Sequence, residues 1–221
     1  MIRVFIGYDE RQPLSYNVLQ HSINEHASLP VSITALKLST LPITRRGLTP
    51  FTFSRFLVPW LCEYEGHAIF LDADMLVTGD IADLWVCRSD ADVSIVHHAE
   101  KFERPSVMLF NNAKCRALTP HFVQTGDPFS FVWARNVGTL PHEWNHLVGY
   151  DAEPDETPKL IHYTAGMPCF EIVQHLGFVE EWAAALQRAN SIAPYEVIMG
   201  NSVHVEKLGL NRDAAPEKAA R

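Results

Sequence analysis

Two carboxylates separated by one small residue, Asp72-Ala73-Asp74, follow the apolar run that starts at His67. Acids crowded at the end of a buried strand lose hydration and repel each other, so positive charge must compensate them. Hard oxygen donors of this kind suit Mg²⁺ or Mn²⁺, which keep part of their water shell and accept phosphate oxygens as further ligands. Ala73 leaves room for a ligand to approach closely. The competing reading makes both acids turn and cap residues, because an Asp-x-Asp triplet is common by chance. His162 ends the apolar run Leu160-Ile161 and precedes a turn containing Gly166 and Pro168. A neutral imidazole there suits a transition metal; a hydrogen-bonded structural histidine, one of 11 in the chain, is the alternative. An Asp/Asp/His set would favour Mn²⁺ over Mg²⁺.

Apolar β-rich runs at residues 2–6, 31–36, 68–71, 93–96, 107–110 and 160–163 predict strands. Helices are expected from Ser15, as a cap, to Glu25, over 53–64 with Phe56, Leu57, Trp60 and Leu61 on one face, and over 179–188. Residues 41–50, with two prolines, a glycine and Arg45-Arg46, read as a loop. Strands alternate with helices through the first 75 residues. This predicts an α/β fold with a mixed, mostly parallel sheet flanked by helices. Ligands bind such sheets beyond the carboxyl ends of the strands, and Tyr8-Asp9 and Asp72–Asp74 both fall at such ends. One domain is expected over 1–210, followed by a flexible polar tail over 211–221.

The chain has 221 residues, enough for one sizeable core, and a formal net charge of −8. That balance argues against nucleic acid as a partner, which normally requires a basic footprint; a bound cation would still let an acidic protein hold phosphate. Cys62, Cys87, Cys115 and Cys169 form no CxxC pair, which disfavours a zinc or redox motif. No run approaches the roughly 18 apolar residues of a membrane span, and the N-terminus lacks a signal-peptide core. A reduced, cytoplasmic protein is expected, and contact with the periphery of a membrane is compatible with it.

The segment Ser54-Arg55-Phe56-Leu57-Val58-Pro59-Trp60, followed by AIFLDADMLVTGDIADLW, resembles the family 8 glycosyltransferases, which include glycogenin and bacterial lipopolysaccharide sugar transferases. Val4-Phe5-Ile6-Gly7-Tyr8-Asp9 resembles the first strand of that family. Pro141-His142-Glu143-Trp144-Asn145 and Leu160-Ile161-His162-Tyr163 resemble its later segments. The resemblance implies a GT-A fold, Mn²⁺ or Mg²⁺, a nucleotide-diphosphate sugar (usually UDP-linked) as donor, and transfer with retention. By position, Asp72, Asp74 and His162 would hold the metal. Tyr8 and Asp9 would lie near base and ribose, with Ala73 and Gly166 also on the donor. Arg55 would approach the donor sugar or phosphate, and Asp127 would face the cation-like sugar, unless it simply starts the turn before Pro128. The acceptor, whether saccharide, lipid-linked or protein, has no sequence signal.

Several positions depart from the family pattern. Thr125-Gly126-Asp127 stands where the family has two acids around a glutamine, and its phosphate-binding lysine is missing near Gly166. Lys159, Arg45 and Arg46 are the cations available to replace it. A non-catalytic nucleotide-sugar-binding relative is therefore the second reading. A haloacid dehalogenase-type phosphatase is a third, weakened by Leu76 and by the motif lying some 70 residues into the chain. A nucleotidyltransferase would want a glycine-rich basic loop where Tyr8-Asp9-Glu10-Arg11 stands.

Overall fold

The computed structural model describes residues 1–99, 103–200 and 203, so the expected tail from 211 lies outside the described residues. The chain divides into two compact units, Met1–Ala189 and Asn190–Arg221.

In the first unit, β1 (Ile2–Tyr8) is buried along nearly its whole length, as a parallel strand covered on both faces requires. Helix α1 (Pro13–His26) starts earlier than the expected Ser15 cap. Pro13, with its preset φ and missing N–H, begins the first turn instead. Ser15, Val18, Leu19, Ser22 and Ile23 then form its buried stripe. β2 (Val31–Lys37) follows. The single helix expected over 53–64 is broken into α2 (Phe51–Ser54), a 3₁₀ turn at Arg55–Leu57, and α3 (Val58–Leu61). Pro59 explains the break: it has no amide to donate, and its ring crowds the carbonyl four residues back, that of Arg55.

β3 (His67–Leu71), β4 (Met75–Val77), α4 (Ile81–Val86), β5 (Val93–Ile95) and β6 (Val107–Asn111) come next. They are followed by α5 (Pro120–Thr125), β7 (Val137–Thr139), β8 (His146–Leu147), β9 (Leu160–His162) and α6 (Val179–Ala189). The main sheet has the order β2-β1-β3-β6-β5-β7, and β4-β9-β8 form a smaller one. In the main sheet β1–β2, β1–β3 and β5–β7 pair in parallel; β3–β6 and β5–β6 are antiparallel. The expected mixed, mostly parallel α/β architecture is what the chain adopts. The second unit carries α7 (Tyr195–Met199). No helix among the described residues is long and apolar enough to cross a membrane.

The main core gathers Val4, Ile6, Ile69, Leu71, Met108 and Phe110 under Phe56, Leu57 and Val58. A smaller one joins Leu76 and Ile161 of the small sheet to Trp182 and Ala185 of α6. The Ser22 hydroxyl accepts from Val77 N at 3.1 Å and donates to Leu19 O at 2.9 Å, tying β4 to α1. Trp133, Trp144 and Trp182 are all buried in these cores.

Gly7 lies where β1 runs against α2. A Cβ there would stand 2.4 Å from Phe51 Cγ, and Phe51 is itself buried. Gly7→Ala is expected to cost about 1–3 kcal/mol by overpacking, read as a lower midpoint in urea unfolding. An unchanged midpoint would show that the strand–helix contact yields freely.

Candidate active site

Parallel pairing of β1 with β3 puts Ile6 opposite Leu71, so Tyr8 and Asp72 leave the sheet at the same edge. Antiparallel pairing of β6 with β3 puts Val107 opposite Leu71, which carries Glu103, Pro105 and Ser106 to that edge too. Asp72 N donates to Ser106 O at 3.0 Å. The small sheet supplies the remaining wall: Met75 pairs with His162, and Tyr163 N donates to Asp74 O at 2.9 Å. The expected residues Asp72 and Asp74 are thereby brought to His162 by the β4–β9 pairing, while the β1–β3 and β3–β6 pairings add Tyr8 and Glu103 to the same edge.

Asp72 is buried and held by Arg55, whose Nη1 and Nη2 lie 3.2 and 3.0 Å from its two oxygens. Arg55 Nη1 also donates to Pro105 O at 3.0 Å. The guanidinium is therefore buried and occupied by protein groups. His162 Nε2 stands 3.4 Å from Asp74 Oδ1, and its Nδ1 is 3.0 Å from Asn145 Oδ1 and 3.5 Å from Glu103 Oε2. Asn145 Nδ2 donates to the Ser106 hydroxyl at 2.8 Å, which in turn donates to Glu103 O. That chain turns the Asn145 carbonyl toward His162, so the imidazole donates from Nδ1 and aims the Nε2 lone pair at Asp74. Thr164 donates to the other oxygen of Glu103.

Ligand atoms of Asp72, Glu103 and His162 lie within 4.8 Å of one another, with Asp74 facing the imidazole and Arg55 the first carboxylate, so three acids meet one guanidinium and one imidazole. Burial pushes Asp72 up to about 7, against the pull of Arg55 and with the help of Asp74. Burial also works against ionised Asp74, but the facing His162 outweighs it and holds that carboxyl below its ordinary range. Burial would lower His162, yet Asp74, Glu103 and Asp72 together raise it. Asp74 Oδ1 is buried without a hydrogen-bond partner, and Asp72 Oδ1 has its ion-pair contact with Arg55 Nη2. An imidazole lone pair and a carboxylate oxygen facing each other in such a place require a proton or a cation between them. An orphaned Asp74 oxygen, an aimed Nε2 and more carboxylates than cations fit a hard or borderline divalent ion.

The other expected residues have their own settings. Ala73 is buried between the two acids. Tyr8 and Asp9 line a cavity of about 220 Å³ together with Arg11, Lys37, Arg46 and Thr49. Arg11 grips Asp9 through both carboxylate oxygens and holds it below the usual carboxylate range. Gly166 sits in the turn leaving β9 at φ +133°, where a side chain would be strained. Asp127 is exposed and caps the turn Pro128–Ser130 by accepting from Phe129 N at 3.2 Å; its recorded bonds stay within that turn. Of the three substitute cations, Lys159 is paired with Asp83 and Glu143, and Arg45 donates to Val123 O and Gly126 O. Only Arg46 of the three lines the cavity. Glu103 was missed because one acid in an irregular stretch carries no pattern. Asn145 was visible only as part of a resemblance segment.

No family model matches the chain. It is 32% identical over 229 residues to "Protein CDI" of Arabidopsis thaliana, covering 85% of this chain and 87% of that protein. Its fold is similar to the apo WbbM bifunctional glycosyltransferase (TM-score 0.63, 18% identity, 90% of this chain and 51% of that one). It is also similar to the galactosyltransferase LgtC in complex with donor and acceptor sugar analogs (TM-score 0.59, 11% identity, 89% and 99%). A third likeness is to the glycosyltransferase GlyE of Streptococcus pneumoniae TIGR4 (TM-score 0.59, 18% identity, 85% and 63%). The chain spans about half the length of the WbbM structure. At these identities the likenesses establish the GT-A fold.

Proposed function

Because this chain belongs to the family of the Arabidopsis thaliana protein CDI and carries the GT-A fold, we propose that it is a metal-dependent glycosyltransferase. On this reading it moves a sugar from a nucleotide-diphosphate sugar, UDP-linked, to a saccharide, lipid-linked or protein acceptor, with retention, as a family 8 member would. The observation that carries the reading is the meeting of Asp72, Asp74 and His162, with an orphaned Asp74 oxygen facing the imidazole, at the sheet edge where Tyr8 and Asp9 line a cavity.

Asp74 and His162 would hold Mn²⁺ or Mg²⁺ together with Asp72, and Asn145 fixes the imidazole tautomer that exposes Nε2. When bound, the cation supplies charge neutralisation for the diphosphate leaving group, more in the transition state than in the ground state. Arg55 acts by orienting Asp72 and spreading its charge. Tyr8 and Asp9 offer a ring and a fixed acceptor to base and ribose, and Arg46 offers positive charge beside them. Ala73 and Gly166 let the donor come close to the backbone. Asp127 is the carboxylate assigned to the cation-like sugar.

Binding without turnover is the second reading. It is favoured by the exposed Asp127, which uses one oxygen as a cap, and by the pairing of Lys159 with acids. A thermal-shift panel of UDP-, GDP- and CMP-sugars with and without Mn²⁺ tests both. A ligand at 100 times its Kd adds about 2.7 kcal/mol, or on the order of 5 °C for a chain of this size. The expected result is a shift with UDP-sugars only in the presence of Mn²⁺, together with slow donor hydrolysis. A shift without hydrolysis across an acceptor panel selects the second reading. No shift with any donor sinks both.

A further inference from the structure

Three histidines converge on one carboxylate outside the cluster just described. His98 Nδ1, His142 Nε2 and His146 Nδ1 stand 3.9, 3.4 and 3.8 Å from the Asp151 oxygens. These separations exceed ordinary N–H···O lengths, so the rings are gathered around Asp151 rather than hydrogen-bonded to it in the usual way. Asp151 is locked in place: Leu147 N donates to its Oδ2 at 2.7 Å, and its own N donates to Leu147 O at 2.9 Å. His98 has a side chain only 2% exposed, and its Nε2 has no hydrogen-bond partner among the described residues. The rings of His98 and His142 meet edge to face with centroids 5.0 Å apart.

We propose that His98, His142 and Asp151 form a second cation site, for a divalent transition metal of the Zn²⁺ class. One ligand atom from each lies within 4.8 Å of the others. Zinc bonds of ~2.0–2.1 Å in a tetrahedron put ligand atoms ~3.3–3.4 Å apart. The His142–Asp151 separation already has that value, and His98 Nδ1 stands at 3.9 Å from the other Asp151 oxygen. Two imidazoles with one carboxylate suit zinc, cobalt or nickel better than Mg²⁺. Burial lowers His98, against the pull of Asp151. His146 Nδ1 stands 3.8 Å from Asp151 Oδ2, the oxygen that Leu147 N holds. The set shares no residue with Asp72, Asp74, Glu103 or His162.

Equilibrium dialysis of the untagged full chain against Zn²⁺, read by atomic emission, tests the site. It is performed on an Asp72→Asn, Asp74→Ala background so that both acids of the neighbouring pair are removed from the other cluster. Co²⁺ absorption provides an independent reading of tetrahedral nitrogen and oxygen ligation. One equivalent of Zn²⁺ is expected, with affinity falling by about 100-fold or more in His142→Ala and in Asp151→Asn. The His142 side chain is 57% exposed, so metal-free melting of His142→Ala should match its background even if Asp151→Asn folds poorly. Zinc affinity in His142→Ala within twofold of the background overturns the site.

Discussion

Asp74→Ala is expected to weaken Mn²⁺-dependent UDP binding by about 100-fold or more, roughly 2.8 kcal/mol, in titration calorimetry. The size follows from what Asp74 supplies. Its Oδ1 is buried without a hydrogen-bond partner and faces His162 Nε2 at 3.4 Å. It is thus the carboxylate oxygen freest to take a cation, since both Asp72 oxygens lie beside Arg55. The fold should survive the change. The backbone bond from Tyr163 N to Asp74 O is kept in alanine, the side chain is one third exposed, and removing one of three clustered acids relieves repulsion. Melting in EDTA should therefore stay close to that of the parent, which separates a binding defect from a folding defect. Chelation of the parent should reproduce the same loss of UDP affinity. UDP affinity in the variant within threefold of the parent would falsify the cation reading of the pair.

How much of this was legible in the sequence depended on whether a residue belonged to a pattern. β1 and β3 are continuous apolar runs, and their length and β-branched content mark buried parallel strands. Because such strands share a carboxyl edge, Tyr8 and Asp72 could be placed together before any coordinates. β4, β7 and β8 are two or three residues long, too short for either period to register, so the pairing of Met75 with His162 that closes the pocket could not be read. The break before α3 was encoded in Pro59, but an apolar helical face over 53–64 masked it. Glu103 reaches the site only because β6 enters antiparallel beside β3, a long-range pairing with no local sign. Arg55 carried the opposite lesson. Its motif suggested an approach to the donor, whereas packing turns it onto Asp72 and Pro105.

That placement makes Arg55→Met the substitution expected to damage stability most. The guanidinium is 6% exposed and touches both oxygens of a buried aspartate. Methionine keeps much of the volume but leaves Asp72 beside Asp74 and Glu103 with no fixed cation. Breaking a buried pair from one side costs about 3–5 kcal/mol where the surviving charge is stranded. Asp72 is already pushed up to about 7 beside Arg55, so the full cost is expected well above that pH and a smaller one below it, where the carboxyl takes up a proton. Urea unfolding in EDTA should register this as a large fall in midpoint with little change in slope. Adding Asp72→Asn to the same chain removes the stranded charge, so the double variant should be more stable than Arg55→Met alone. The coupling expected between the two positions is about 1–3 kcal/mol. A guanidinium reserved for the donor would behave differently: Arg55→Met would unfold like the parent, and the second substitution would only add its own cost. The cycle therefore distinguishes an arginine that positions the first carboxylate from one that waits for the substrate.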